Sequence, residues 1–123
     1  SEIVRATVES VAYQTYDLFE AMKNDGLRPK IVRVDGGMVK NNSFLQSLAN
    51  ISQIKIIRPS NIETTSLGAA YLSAIQSGHL KNTNQINKLW KKDKIIKAKI
   101  SKSISNSNIV KWKLIINAVN NFY

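Results

Sequence analysis

The stretch from Arg33 to Asn42 reads Arg-Val-Asp-Gly-Gly-Met-Val-Lys-Asn-Asn, and it constrains the chain path more than any other part of the sequence. The β-branched run Ile31, Val32, Val34 predicts a strand over 31–34, and two asparagines open an amphipathic stretch predicted as a helix over about 42–51. Between them, Gly36 and Gly37 remove the side chains that would hold a ligand off the backbone, and they permit positive φ. The helix start offers unpaired N–H groups and partial positive charge to whatever occupies the turn. That geometry suits a nucleotide or another anionic or polar ligand, although such a turn also serves as a plain connection. Asp35 reads as a turn or cap residue and not as a catalytic base.

The following residues repeat the strand–helix order. Ile54-Lys55-Ile56-Ile57-Arg58 predicts a strand stopped by Pro59. Ser60-Asn61-Ile62-Glu63 matches a capping box for a helix over 63–77 that closes at Gly78. Gly68, Ala69, Ala70 and Ala74 give that helix little bulk, which predicts tight packing on the sheet. Upstream, Val4, Val8, Val11, Thr15, Leu18 and Met22 form one stripe, so residues 3–24 predict an amphipathic helix ended by Gly26 and Pro29. Helix–strand–helix–strand–helix alternation implies α/β architecture, mostly helical, with two parallel strands joined by a helical crossover. Further on, a short helix is expected from Thr83 to Leu89 with Thr83 as its cap, and Lys94-Ile95-Ile96 as a brief extended piece. Residues 101–107 read as a polar linker, and a terminal helix is expected from Asn108. Trp90 and Trp112 are expected to pack against the body.

Composition sets outer bounds. With 43% apolar residues the chain is not of disordered type, and no run approaches the length of a membrane span. The absence of cysteine excludes disulfides and thiolate metal sites and fits a cytoplasmic setting. His79, just past a helix end, reads as an exposed turn residue with no partner for metal binding or proton transfer. The net charge of +10 is unevenly spread: residues 1–80 are close to balance, whereas residues 81–123 hold ten lysines against Asp93 alone. The organisation predicted is therefore a body over 1–80 and a lysine-rich extension over 81–123. That extension has no arginine and no interleaved aromatics, so sequence-selective nucleic-acid recognition is not expected, while non-specific attraction to polyanions is. The abundance of Lys, Asn and Ile (14, 13 and 16 residues) fits an AT-rich coding background.

Arg33 to Asn42, followed by Arg58-Pro59 and Glu63-Thr64-Thr65-Ser66-Leu67-Gly68-Ala69-Ala70-Tyr71-Leu72, resembles the C-terminal domain of glycerol kinases, within the carbohydrate kinases. The opening residues Ile3 to Thr15 resemble the preceding helix of that family, and Lys111-Trp112-Lys113 its last helix. Xylulose and gluconate kinases tend to carry Gly-Gly-Gly-Ala at the turn instead. The resemblance implies the C-terminal part of a ribonuclease-H-like, actin-like ATPase domain, whose other three strands would lie upstream. It implies that Gly37 contacts the nucleotide, with Gly36 beside it in the turn, and that Asn41 meets the adenine end of ATP or ADP, with Mg2+ accompanying the nucleotide. It places the catalytic aspartate, the substrate groups and the phosphate loops upstream of residue 1, so no catalytic or metal residue is expected here.

The function expected from that resemblance is the nucleotide-binding part of an ATP-dependent glycerol kinase, inactive alone. It would be completed by ATP, glycerol and an N-terminal kinase portion, and the isolated piece would self-associate as a homo-oligomer. A different polyol or sugar acceptor, or a non-catalytic remnant of a split gene, are the alternatives.

Overall fold

The computed structural model describes residues 1–122. Five helices, α1 (Glu2–Asn24), α2 (Asn42–Ser52), α3 (Thr64–Gln76), α4 (Thr83–Leu89) and α5 (Lys102–Asn120), accompany strands β1 (Ile31–Arg33), β2 (Lys55–Pro59) and β3 (Lys92–Ile96). β1 and β2 run parallel, pairing Val32 with Ile56, and α2 makes the crossover between them. β3 joins the free side of β2 antiparallel, pairing Ile96 with Ile56, with an irregularity at Arg58 and Pro59. The expected parallel pair is thus present, and the extended piece around Lys94 lengthens into a third strand.

Val32, Ile56 and Ile96 lie on one face of the sheet, and α2 covers that face with Phe44, Leu45, Leu48 and Ala49. α1 packs on α2 through Ala12, which is fully buried, with Val8, Val11 and Phe19 alongside. The contact line runs through Ala12 because a small residue lets two helices approach closely. Val4 and Leu18, on the stripe read from sequence, are therefore left exposed. The opposite sheet face is open: Ile31 and Ile95 are exposed there, and the Arg33 guanidinium lies 4.1 Å from the Trp90 ring centroid. Trp112 packs against α1, stacking on Tyr13 at 5.1 Å and donating its indole N–H to Asp17.

Several local expectations are corrected. Residues 102–107 are not a linker; they are the first turns of α5. The Ser101 hydroxyl caps the Ile104 N–H, and Ser105 is buried against α2. The capping box at Ser60 and Glu63 does not form. The Ser60 hydroxyl donates to the Lys91 carbonyl, since β3 lies alongside, and Asn61 accepts the Glu63 N–H instead. Asn82 rather than Thr83 caps α4, accepting the Asn84 N–H. The small-residue helix α3 does not pack on the sheet: no residue in it is buried, and Leu72 is 68% exposed. Leu72, Ser73 and Gln76 in its later turns are exposed.

Candidate functional site

The turn after β1 is held from three directions. Val34 continues the parallel ladder by donating its N–H to Ile57, and the Gly36 N–H donates to the Ile62 carbonyl at 3.0 Å. Asp35 accepts the Thr64 hydroxyl, tying the turn to the first residue of α3. Gly36 has φ 84° and ψ 177°, a conformation that an L side chain strains to adopt, and this explains the first glycine. Gly37 starts a single 3₁₀ turn, Gly37–Lys40, at an unremarkable φ. A side chain on either glycine would meet nothing within 4 Å, so both face open space.

Arg58 fixes the far end of that turn. Its guanidinium donates to the Val39 carbonyl at 3.0 Å and pairs with Asp93 at 2.6 Å, linking β2, β3 and the turn. Asn41 follows as the N-cap of α2, its side-chain oxygen accepting the Ser43 and Phe44 N–H groups at 2.9 and 3.1 Å. With its oxygen used in this way, the amide nitrogen of Asn41 is its remaining hydrogen-bonding group.

A cavity of about 420 Å3 opens beside Asn41, between the start of α1 and the start of α2. Val4 and Val8 give it an apolar wall, and Arg5, Glu9, Ser43 and Ser47 give it polar groups. Arg5 and Glu9 are paired at 2.7 Å, and that hydrogen bond raises the guanidinium pKa further. Gly36 and Gly37 share the turn that ends in Asn41 but do not line the cavity. Among the described residues no group of three or more His, Asp and Glu side chains could hold a metal ion.

The sequence singles out Gly36, Gly37 and Asn41, and it does not mark the residues that brace them. Arg58, Ile62 and Thr64 hold the turn, and Arg5 and Glu9 line the cavity. Arg58 was visible as an arginine before a strand-ending proline, but nothing local says that it reaches back nineteen residues.

Residues 1–77 match the FGGY family of carbohydrate kinases, C-terminal domain. The chain is 42% identical to a glycerol kinase of Gluconobacter oxydans over 113 residues, 91% of this chain and 22% of that protein. It is also 42% identical to one of Bacillus cereus over 120 residues, 97% of this chain and 24% of that protein. Both alignments run well past residue 80. In three dimensions the chain resembles the crystal structure of Plasmodium falciparum glycerol kinase with ADP, with a TM-score of 0.82 and 28% identity. That likeness covers 94% of this chain and 24% of that one. A xylulose kinase from Lactobacillus acidophilus shares the fold, with a TM-score of 0.75 at 20% identity over 98% of this chain and 24% of that one. The chain spans under a quarter of the length of the relatives it matches. It belongs to the FGGY family of carbohydrate kinases, and residues 1–77 are a C-terminal domain of that family.

Proposed function

We propose that this chain is the nucleotide-binding C-terminal part of an ATP-dependent glycerol kinase, acting in the cytoplasm, with Gly36, Gly37 and Asn41 holding the adenosine. The observation that carries the reading is Asn41. Its oxygen is committed to the Ser43 and Phe44 N–H groups, so its amide nitrogen is left as a donor for a ring-nitrogen acceptor of adenine. The open glycine turn lets the nucleotide lie against backbone. The similar Plasmodium falciparum glycerol kinase was crystallised with ADP, which supports the same ligand class.

Phosphoryl transfer needs a positioned base and groups that hold the triphosphate, and the role assigned to this chain is limited to binding and orienting adenosine. Mg2+, accompanying the nucleotide, would neutralise phosphate charge in the complete enzyme. The substrates of that enzyme are ATP and glycerol. The partner proposed for this chain is an N-terminal kinase portion, which would cover α3 and the free edge of β1. Without it, these same surfaces favour a homo-oligomer.

The test is complementation. The pure chain should bind ADP only at millimolar concentration or weaker, because the phosphate grips are elsewhere. Mixed with the N-terminal three-quarters of a glycerol kinase, it should restore glycerol-dependent ATP turnover. Turnover by the chain alone, or no turnover in a mixture shown to assemble, would overturn the proposal.

A further inference from the structure

All three nitrogens of the Arg58 guanidinium are engaged. Nε and Nη2 meet one carboxylate oxygen of Asp93 on β3, at 2.7 and 2.6 Å. Nη1 donates to the Val39 carbonyl at 3.0 Å and reaches the Asn42 side-chain oxygen at 3.4 Å. Lys94, the ladder partner of Arg58, donates to the same Asn42 oxygen at 3.1 Å. A cross-strand ion pair would be complete with Asp93 alone. The third nitrogen reaches out of the sheet to the glycine turn.

What it holds there is a carbonyl that the turn leaves free. Within the turn, Gly36 accepts the Val39 N–H and Met38 accepts the Asn41 N–H. The Val39 carbonyl is taken from outside, by Arg58. Because the Val39 side chain is also buried in the core, this residue is fixed from two sides. Asn41 follows two residues later, and Asn42 directly after it is gripped by Arg58 and Lys94. The residue assigned to adenine therefore stands between two residues that β2 and β3 hold in place. A group aimed before its ligand arrives loses less freedom on binding. β3 lies beyond residues 1–77 of the family domain, so the lysine-rich extension supplies the acid that orients the arginine.

We propose that Arg58, oriented by Asp93, is a positioning residue for the nucleotide. Through Val39 and Asn42 it sets the direction of the Asn41 amide, and it makes β3 a working part of the adenosine site. This role rests on the assignment of Asn41 to adenine.

The test measures KM and kcat in the enzyme reconstituted from this chain and the N-terminal three-quarters of a glycerol kinase. Arg58→Met should raise KM for ATP about three- to tenfold, with KM for glycerol and kcat changed less than about twofold. Asp93→Asn keeps the Arg58 donors but frees the guanidinium, and should raise KM for ATP about twofold. If Arg58 acts through Asn41, the double variant Asn41→Asp, Arg58→Met should have no higher KM for ATP than Asn41→Asp alone. A role in stability alone would lower the amount of assembled enzyme, and with it kcat, at an unchanged KM. That result, or effects of Asn41→Asp and Arg58→Met that multiply, overturns the role of Arg58 and leaves the adenosine site standing. No turnover with the parent chain, or an unaltered KM in Asn41→Asp, overturns the adenosine site and this role with it. Where Arg58→Met does not assemble, Asp93→Asn decides, and an unchanged KM for ATP overturns the proposal.

Discussion

Ser105, fully buried on α5, donates its hydroxyl to the carbonyl of Ile51 at 2.9 Å. Ile51 sits in the last turn of α2, where carbonyl groups have no partner within the helix. One serine thus caps the end of one helix and docks the start of another. The same end of α2 is closed by Gln53, which takes a left-handed φ of 56° and donates its N–H to Ala49.

Replacing Ser105 with alanine leaves the Ile51 carbonyl buried and unpaired. The expected cost is about 1–3 kcal/mol, read as a lower urea midpoint with an unchanged slope.

Asn41 can be dissected by two substitutions. Asn41→Ala removes the cap and should cost about 1 kcal/mol of stability. Asn41→Asp keeps the capping oxygen but deletes the amide donor. It should leave the urea midpoint within about 0.5 kcal/mol of the parent, yet weaken ADP binding in the complemented enzyme by tenfold or more. If the two variants bind ADP as well as the parent does, Asn41 is structural only.

The paired glycines should separate in the same way. Gly36→Ala forces a side chain into a conformation with φ 84° and should destabilise the chain by about 1–3 kcal/mol. Gly37→Ala meets no atom and carries no positive φ, so thermal unfolding should be nearly unchanged. Its effect should appear instead as a raised KM for ATP in the complemented enzyme.

Arg58 and Asp93 form an ion pair of unequal burial, with side chains 16% and 46% exposed. Arg58→Met removes the Val39 and Asp93 contacts together and should cost about 1.5–3 kcal/mol. Asp93→Asn loses only a solvent-screened partner and should cost less than about 1 kcal/mol. Denaturant midpoints of the two single variants check the order.

Burial raises the pKa of the Tyr13 phenol above its ordinary 10.0, with Glu9 adding to the effect. The folded chain holds that proton more tightly than the unfolded chain does. The resulting stabilisation is present below pH 10.0 and is lost as pH rises through the raised value. Tyr13→Phe should therefore flatten the alkaline limb of a stability–pH curve.

The elements visible in advance were those whose signal is local. The glycine turn, the parallel pair and the boundaries of α1 and α4 follow from β-branched runs, paired glycines and helical spacing within single windows. Ser101 to Ser107 reads as a linker because four serines in seven residues compete for backbone hydrogen bonds. One of them instead caps the helix and another is buried against a distant carbonyl. Ser60 and Glu63 match a capping pattern, but the carbonyl of Lys91, just before β3, takes the Ser60 hydroxyl. The small residues of α3 predict packing, but no window reveals whether the partner of a helix lies in the same chain. At the candidate site, Gly36, Gly37 and Asn41 were legible as types in a pattern. Arg58 and Thr64 were not, because their contacts cross from one strand or helix to another.

The central position of β2 also orders the events of biosynthesis. Its first neighbour, β1, precedes it by some twenty residues, but its second, β3, ends at Ile96. A chain leaving the ribosome therefore carries β2 with one unsatisfied side until residues beyond Ile96 have emerged, a window in which a nascent chain is open to aberrant pairing. Pausing translation before that point should favour capture of the nascent chain by chaperones, whereas pausing after it should not.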